Sequence, residues 1–102
     1  MAQQGAQKKP VDIVLNAQLD MACAKALQER LLYGLKQGAQ VRLRGGLVER
    51  IDTACIQVLA SFFQTAQHQA LPVAWLDLSA PLERALQRCG LADLLAPKET
   101  KK

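Results

Sequence analysis

The chain is poor in the residues that most often carry chemistry. Aromatic side chains make up 4% of its 102 residues, and Tyr33, Phe62, Phe63 and Trp75 are the whole set. A surface that stacks single-stranded bases has almost nothing to stack them on, and the core must be built chiefly from Leu, Val, Ile and Ala. There is one histidine, His68, late in a helical segment, with no Ser or Cys placed beside it by a triad signature. It is expected to face solvent. Cysteine is limited to Cys23, Cys55 and Cys89, an odd number without the close spacings of zinc or redox sites. No apolar run approaches the length of a membrane helix, and Met1 to Lys9 is too polar for a signal peptide. Free thiols without an export signal fit a reducing cytoplasm, the expected location.

An excess of one charge is also missing where it would matter. The formal net charge is +4, but Lys8, Lys9, Lys98, Lys101 and Lys102 all lie in the two ends. Between Pro10 and Pro97 eight basic residues meet eight acidic ones. A nucleic-acid surface gathers Lys and Arg on one face, and this body is neutral. The lysines read as solvating tails, and no nucleic-acid partner is expected.

What is present is enough apolar material, half of the residues, for one compact domain. Val11 to Leu15 is a short β-rich run with Val11, Ile13 and Leu15 on one face. From about Met21 to Lys36 the apolar period changes to that of a helix. Cys23, Leu27, Leu31 and Leu35 form its stripe, widened by Ala24 and Leu32, with Asp20 as the cap and Gly38 as the stop. A second strand, Val41 to Arg44, runs into the turn residues Gly45 and Gly46. Leu47 to Ile51 leads to a helix from about Thr53 to Gln69, capped by Asp52 and buried through Cys55 or Ile56, Leu59, Phe62 or Phe63, and Ala66. Val73 to Asp77 is a third strand. Ser79-Ala80-Pro81 opens a third helix whose inner face is Leu82, Ala85, Leu86 and Cys89, stopped by Gly90. A short element, Leu91 to Leu95, comes before the charged tail. This alternation predicts an α/β fold, an open and mainly parallel sheet flanked by helices. Residues 1–10 are expected to be flexible or an edge strand, 11–95 a single domain, and 96–102 a charged tail.

Nothing in the inventory makes an enzyme, a metal site or a cofactor site. Two glycines after a strand indicate a turn and lack the spacing of a phosphate loop. The cysteines fall on apolar stripes, where free Cys packs as a small hydrophobe. Cys55 differs in lying in a first helical turn, where the dipole lowers a thiol pKa, but core packing is expected for it too because nothing nearby supplies a second redox partner. The most informative segment runs from Val48 to Leu59. Asp52 can accept backbone N–H bonds at the helix start, and Thr53 then presents its hydroxyl beside the positive end of the dipole. A phosphate on Thr53 would be favoured by that dipole and opposed by Asp52 and Glu49.

Asn16-Ala17-Gln18-Leu19-Asp20, Ile51-Asp52-Thr53-Ala54 with Gln57-Val58-Leu59-Ala60, Val73-Ala74-Trp75, and Ser79-Ala80-Pro81-Leu82 through Gly90-Leu91 occur in the order found in STAS domains. From about Val11 to Leu95 the chain resembles that family, the fold of bacterial anti-sigma-factor antagonists and of sulfate-transporter tails. The resemblance implies a functional centre at Asp52-Thr53-Ala54. In the antagonists the residue two after the Asp is phosphorylated by an anti-sigma kinase; that place is Ala54 here, which has no hydroxyl. Thr53 is the candidate phosphoacceptor next to it. Cys55 stands where the family commonly has Gly, and Arg44 where it often has an acidic residue.

The Asp-Thr-Ala form is similar to two branches of the family. One comprises stand-alone bacterial proteins tied to signalling and chemotaxis. The other is the STAS subunit of a lipid-asymmetry ABC transporter, which touches the ATPase. The resemblance therefore implies a non-enzymatic docking module. Its partner is an anti-sigma or histidine-kinase-like protein or, alternatively, an ABC ATPase. The expected partner-binding residues are Glu49, Arg50, Asp52, Thr53, Ala54 and Gln57, with neither cofactor nor direct membrane insertion.

Overall fold

The structure, a computed structural model, describes residues 9–91. Three parallel strands form the main sheet in the order β1 (Val11–Val14), β3 (Val41–Gly45), β5 (Val73–Leu78). A second, two-stranded parallel pair joins β2 (Gln18–Leu19) to β4 (Arg50–Ile51). The helices are α1 (Ala24–Lys36), α2 (Thr53–His68) and α3 (Ala80–Arg88). A 3-10 turn, Met21–Cys23, precedes α1. This is the mixed α/β, mainly parallel architecture that the alternating periods predict.

The core follows the aliphatic composition. Leu15, Leu19, Leu31, Leu43, Leu59, Leu82 and Leu86 are fully buried with Val41, Val48 and Cys55, and no buried polar or charged residue occurs among the described residues. The few aromatics add to it: Phe63 lies edge-on to Phe62 and at 5.8 Å from Trp75. On α2 both members of each open pair are buried, Cys55 with Ile56 and Phe62 with Phe63.

Three expectations about the helices change. The first helical segment opens as a 3-10 turn, so Cys23 stands outside α1 and is half-buried. Leu32 does not widen the buried stripe; one step around the helix from Leu31, it is 46% exposed. Cys89 is exposed, because α3 ends at Arg88 and the chain turns away through Gly90 at φ +74. The other boundaries match the sequence reading to within one or two residues. Lys9 and Pro10 carry no strand. The remaining expectations for residues 1–8, for 92–95 and for the tail 96–102 lie outside the described residues.

Two details fix the end of the sheet where helices begin. A β-carbon at Gly45 would lie 2.6 Å from Leu82 Cδ2 and 3.1 Å from Trp75 Cζ3, so the close packing of α3 on β3 requires glycine. A bulge in β5 skips Leu76 and sets Asp77 opposite Arg44. The Asp77 carboxylate then accepts the Gly46 N–H at 2.6 Å and lies 3.6 Å from the Arg44 guanidinium, holding the turn after β3.

Candidate functional site

The β2–β4 pair positions the site. Its register sets Gln18 beside Arg50 and Leu19 beside Ile51, and the Asp52 N–H donates to the Leu19 carbonyl at 2.9 Å. Each strand runs directly into a helical start, the 3-10 turn after Asp20 and α2 after Asp52. Two helical N-terminal ends therefore lie side by side, although the segments are some thirty residues apart in sequence.

The two aspartates divide the work differently from the sequence expectation. Asp20 caps its own turn, its Oδ1 accepting the Cys23 N–H at 3.2 Å. Asp52 occupies the N-cap position of α2, but its side chain makes no cap bond there. Its Oδ2 accepts the Met21 N–H at 3.2 Å, satisfying a donor of the neighbouring turn. The first turn of α2 is closed instead by the Asp52 carbonyl, which accepts from Cys55 and Ile56 at 3.0 Å each. Asp52 is thus a brace between two helical starts.

The other predicted residues lie around this brace. The backbone N–H groups of Glu49 and Arg50 both donate to the Ala17 carbonyl, at 2.8 and 3.1 Å. The Glu49 Oε1 accepts from Gln18 Nε2 at 3.2 Å, a partner the sequence reading did not single out. Arg50, Thr53 and Gln57 are exposed, and Ala54 is half-buried. Ala54 and Gln57 continue into a groove of about 480 Å³ between α1 and α2 that is also lined by Leu31, Leu32, Leu35 and Phe62, with no charged residue among the described residues of its lining. The exposed Leu32 is part of this groove.

Two exposed apolar side chains were missed. Met21 is 72% exposed in the 3-10 turn and Leu47 is 63% exposed in the β3–β4 loop. Apolar residues flanking a polar cluster suit a protein interface, where polar groups orient and apolar area supplies affinity. Composition gives no signal for them; the clue in sequence is that neither joins a helical or strand stripe.

Cys55 packs in the core, as its place on an apolar stripe predicts. Cys55 lies in the first turn of α2, yet its pKa is raised. Burial dominates, with the charges of Cys23, Asp52 and Asp20 adding in the same direction. It is fully buried and its Sγ–H donates to the Asp20 carbonyl at 3.3 Å. Cys23, whose Sγ–H reaches the Gln18 carbonyl at 3.5 Å, is also raised, first through hydrogen bonding with Asp20 and then through desolvation. Cys23 lies in the neighbouring turn, where its backbone N–H shares the Asp20 carbonyl with the Cys55 thiol. Cys55 itself is packed and protonated at neutral pH, unlike an activated nucleophile.

His68 is at the opposite end of α2, in its last turn, and is exposed. Among the described residues no group of three His, Cys, Asp or Glu side chains is arranged to hold a metal ion. No helix among them is long and apolar enough to cross a membrane.

This arrangement, paired parallel strands delivering two helical starts to one surface, is that of a STAS domain. The chain belongs to the STAS family: the family model described as "Mlab, STAS domain" matches residues 2–96. A comparison with curated proteins gives no match. Among solved structures the chain is similar to that of the anti-sigma factor antagonist SpoIIAA in its unphosphorylated form. The TM-score is 0.71 at 14% identity, covering 94% of this chain and 83% of that one. At that identity the likeness is one of fold.

Proposed function

We propose that this STAS protein is a non-enzymatic docking module that regulates a partner protein in bacterial signalling, in the manner of an anti-sigma-factor antagonist or a chemotaxis-associated relative. The partner is an anti-sigma or histidine-kinase-like protein. The interacting unit is the single domain 11–95, and the contact is made through the N-terminal end of α2. One observation carries this reading: the Asp52 brace and the β2–β4 pairing hold Arg50, Thr53 and Gln57, all exposed, at one end beside exposed Met21, with exposed Leu47 in the loop that leads to β4. Rigid placement reduces the entropy lost on binding, and the apolar flank supplies buried area. Glu49 and Arg50 orient a charged partner, and Ala54 admits close approach to the half-buried start of the helix.

Regulation at this end follows from what Ala54 lacks. Without a hydroxyl it accepts no phosphate, so the usual switch of the antagonists is absent. Thr53, exposed beside the dipole, is the acceptor that remains. Affinity capture from source-cell lysate with wild-type protein and with Thr53→Glu tests the reading. A kinase-like or anti-sigma protein retained by the wild type and lost by the variant is the expected result. Equal retention by both overturns the proposed contact.

The missing hydroxyl also favours a second reading, a constitutive STAS subunit of a lipid-asymmetry ABC transporter whose same helix end contacts the ATPase. Capture of an ABC ATPase with its permease, with ATP hydrolysis altered on depletion of this chain, distinguishes it from signalling.

A further inference from the structure

We propose that Cys23 and Cys55 form a dithiol that peroxide converts to an intramolecular disulfide, stitching the 3-10 turn to the first turn of α2. The residues are distant in sequence and brought together by the β2–β4 pairing. The Asp20 carbonyl accepts from the Cys23 backbone N–H at 2.9 Å and from the Cys55 Sγ–H at 3.3 Å, so both residues are gathered on one oxygen. The Cys23 Sγ–H donates to the carbonyl of Gln18, two residues back along the same extended segment. The Gln18 and Asp20 carbonyls, two residues apart in sequence, thus each hold one of the two thiols. The Met21 N–H to Asp52 bond ties the same two segments again, and Cα atoms of the turn and of α2 come within 8 Å of each other.

Access assigns the roles. Cys23 is half-exposed and meets the oxidant; Cys55 is buried and resolves. The Cys23 thiolate attacks the peroxide O–O bond, its sulfur being oxidised to the sulfenic acid while the peroxide is reduced to water or an alcohol. Cys55 sulfur then attacks the sulfenic sulfur, forming S–S and breaking S–O, and its proton leaves with the hydroxide as water. Two thiols and one peroxide yield one disulfide and, for hydrogen peroxide, two waters. This modification is independent of what docks at the same end.

The test treats the full chain with hydrogen peroxide, blocks the remaining thiols with iodoacetamide, and maps non-reduced peptides. The expected result is a loss of about 2 Da, the two hydrogens of the dithiol, with one peptide pair linked through Cys23 and Cys55 and reversed by dithiothreitol. Cys89→Ser retains the link and Cys23→Ser abolishes it. In Cys55→Ser the sulfenic acid on Cys23 persists and dimedone labels it more strongly than in wild type. If Cys55→Ser does not fold, Cys23→Ser at its half-exposed position carries the comparison, with circular dichroism as the fold check. Dimedone on Cys23 of the wild type with Cys55 left free, links made only through Cys89, or no oxidised product would each overturn the proposal.

Discussion

Asp52 ends one strand, begins one helix and satisfies a donor of another. Its carboxylate lies at the start of α2 while accepting the Met21 N–H at 3.2 Å. Asp52→Ala is expected to lower stability by about 1 kcal/mol in urea denaturation. Asp52→Asn, which keeps an oxygen acceptor, should recover a large part of that. The thiols give a second expectation at this scale. Iodoacetamide at neutral pH should modify exposed Cys89 first and buried Cys55 last, read by mass spectrometry of timed samples. Burial raises the folded-state pKa of Cys55 above its ordinary value of 9.0. Folded protein then holds a proton that the unfolded chain releases. Its contribution to stability is complete below about pH 9 and is lost as pH rises through the folded-state pKa. A Cys55→Ala variant should show a shallower decline of melting temperature between neutral and strongly alkaline pH.

At the scale of elements, the strands of three or more turns of alternation and the long helices were legible in sequence, because a period of two or of 3.6 repeats often enough there to be seen. The elements that build the site were not. β2 and β4 are two residues each, too short for any period, and the 3-10 turn before α1 shares the apolar spacing of the helix it precedes. The β5 bulge that brings Asp77 to Gly46 is likewise a register event without a local signature. The Asp52-Thr53 junction was found through its polar-to-apolar transition. Its bracing of Met21, its thiol neighbour Cys23 and the flank of Met21 and Leu47 all depend on the non-local β2–β4 pairing. Gly45 shows how tightly these pieces are set. Gly45→Ala places a methyl 2.6 Å from Leu82 Cδ2 and should cost about 1–3 kcal/mol, seen as a lower thermal midpoint. Gly38→Ala, at φ +68 after α1, should also destabilise, here through backbone strain of about 1 kcal/mol and without disturbing the core.

The molecule as a whole carries a net charge of +4 around an aliphatic core, and the residues proposed for recognition lie at the start of α2. Its core needs no buried charge among the described residues, so the exposed residues of the α2 start can change without loss of fold. Substitutions at Arg50, Thr53 and Gln57 should therefore separate binding from stability. Changes to Leu31 or Leu59 should not, since truncation of a fully buried Leu costs about 2–5 kcal/mol and removes fold and binding together. The most direct test of the docking reading is a calorimetric titration of the captured partner with wild-type protein and with the triple variant Arg50→Ala, Thr53→Glu, Gln57→Ala. A fall in affinity of about tenfold or more, equivalent to about 1.4 kcal/mol, with unchanged circular dichroism and melting temperature, is the predicted result. Equal affinity of the two folded proteins would contradict it and place the interface elsewhere on the molecule.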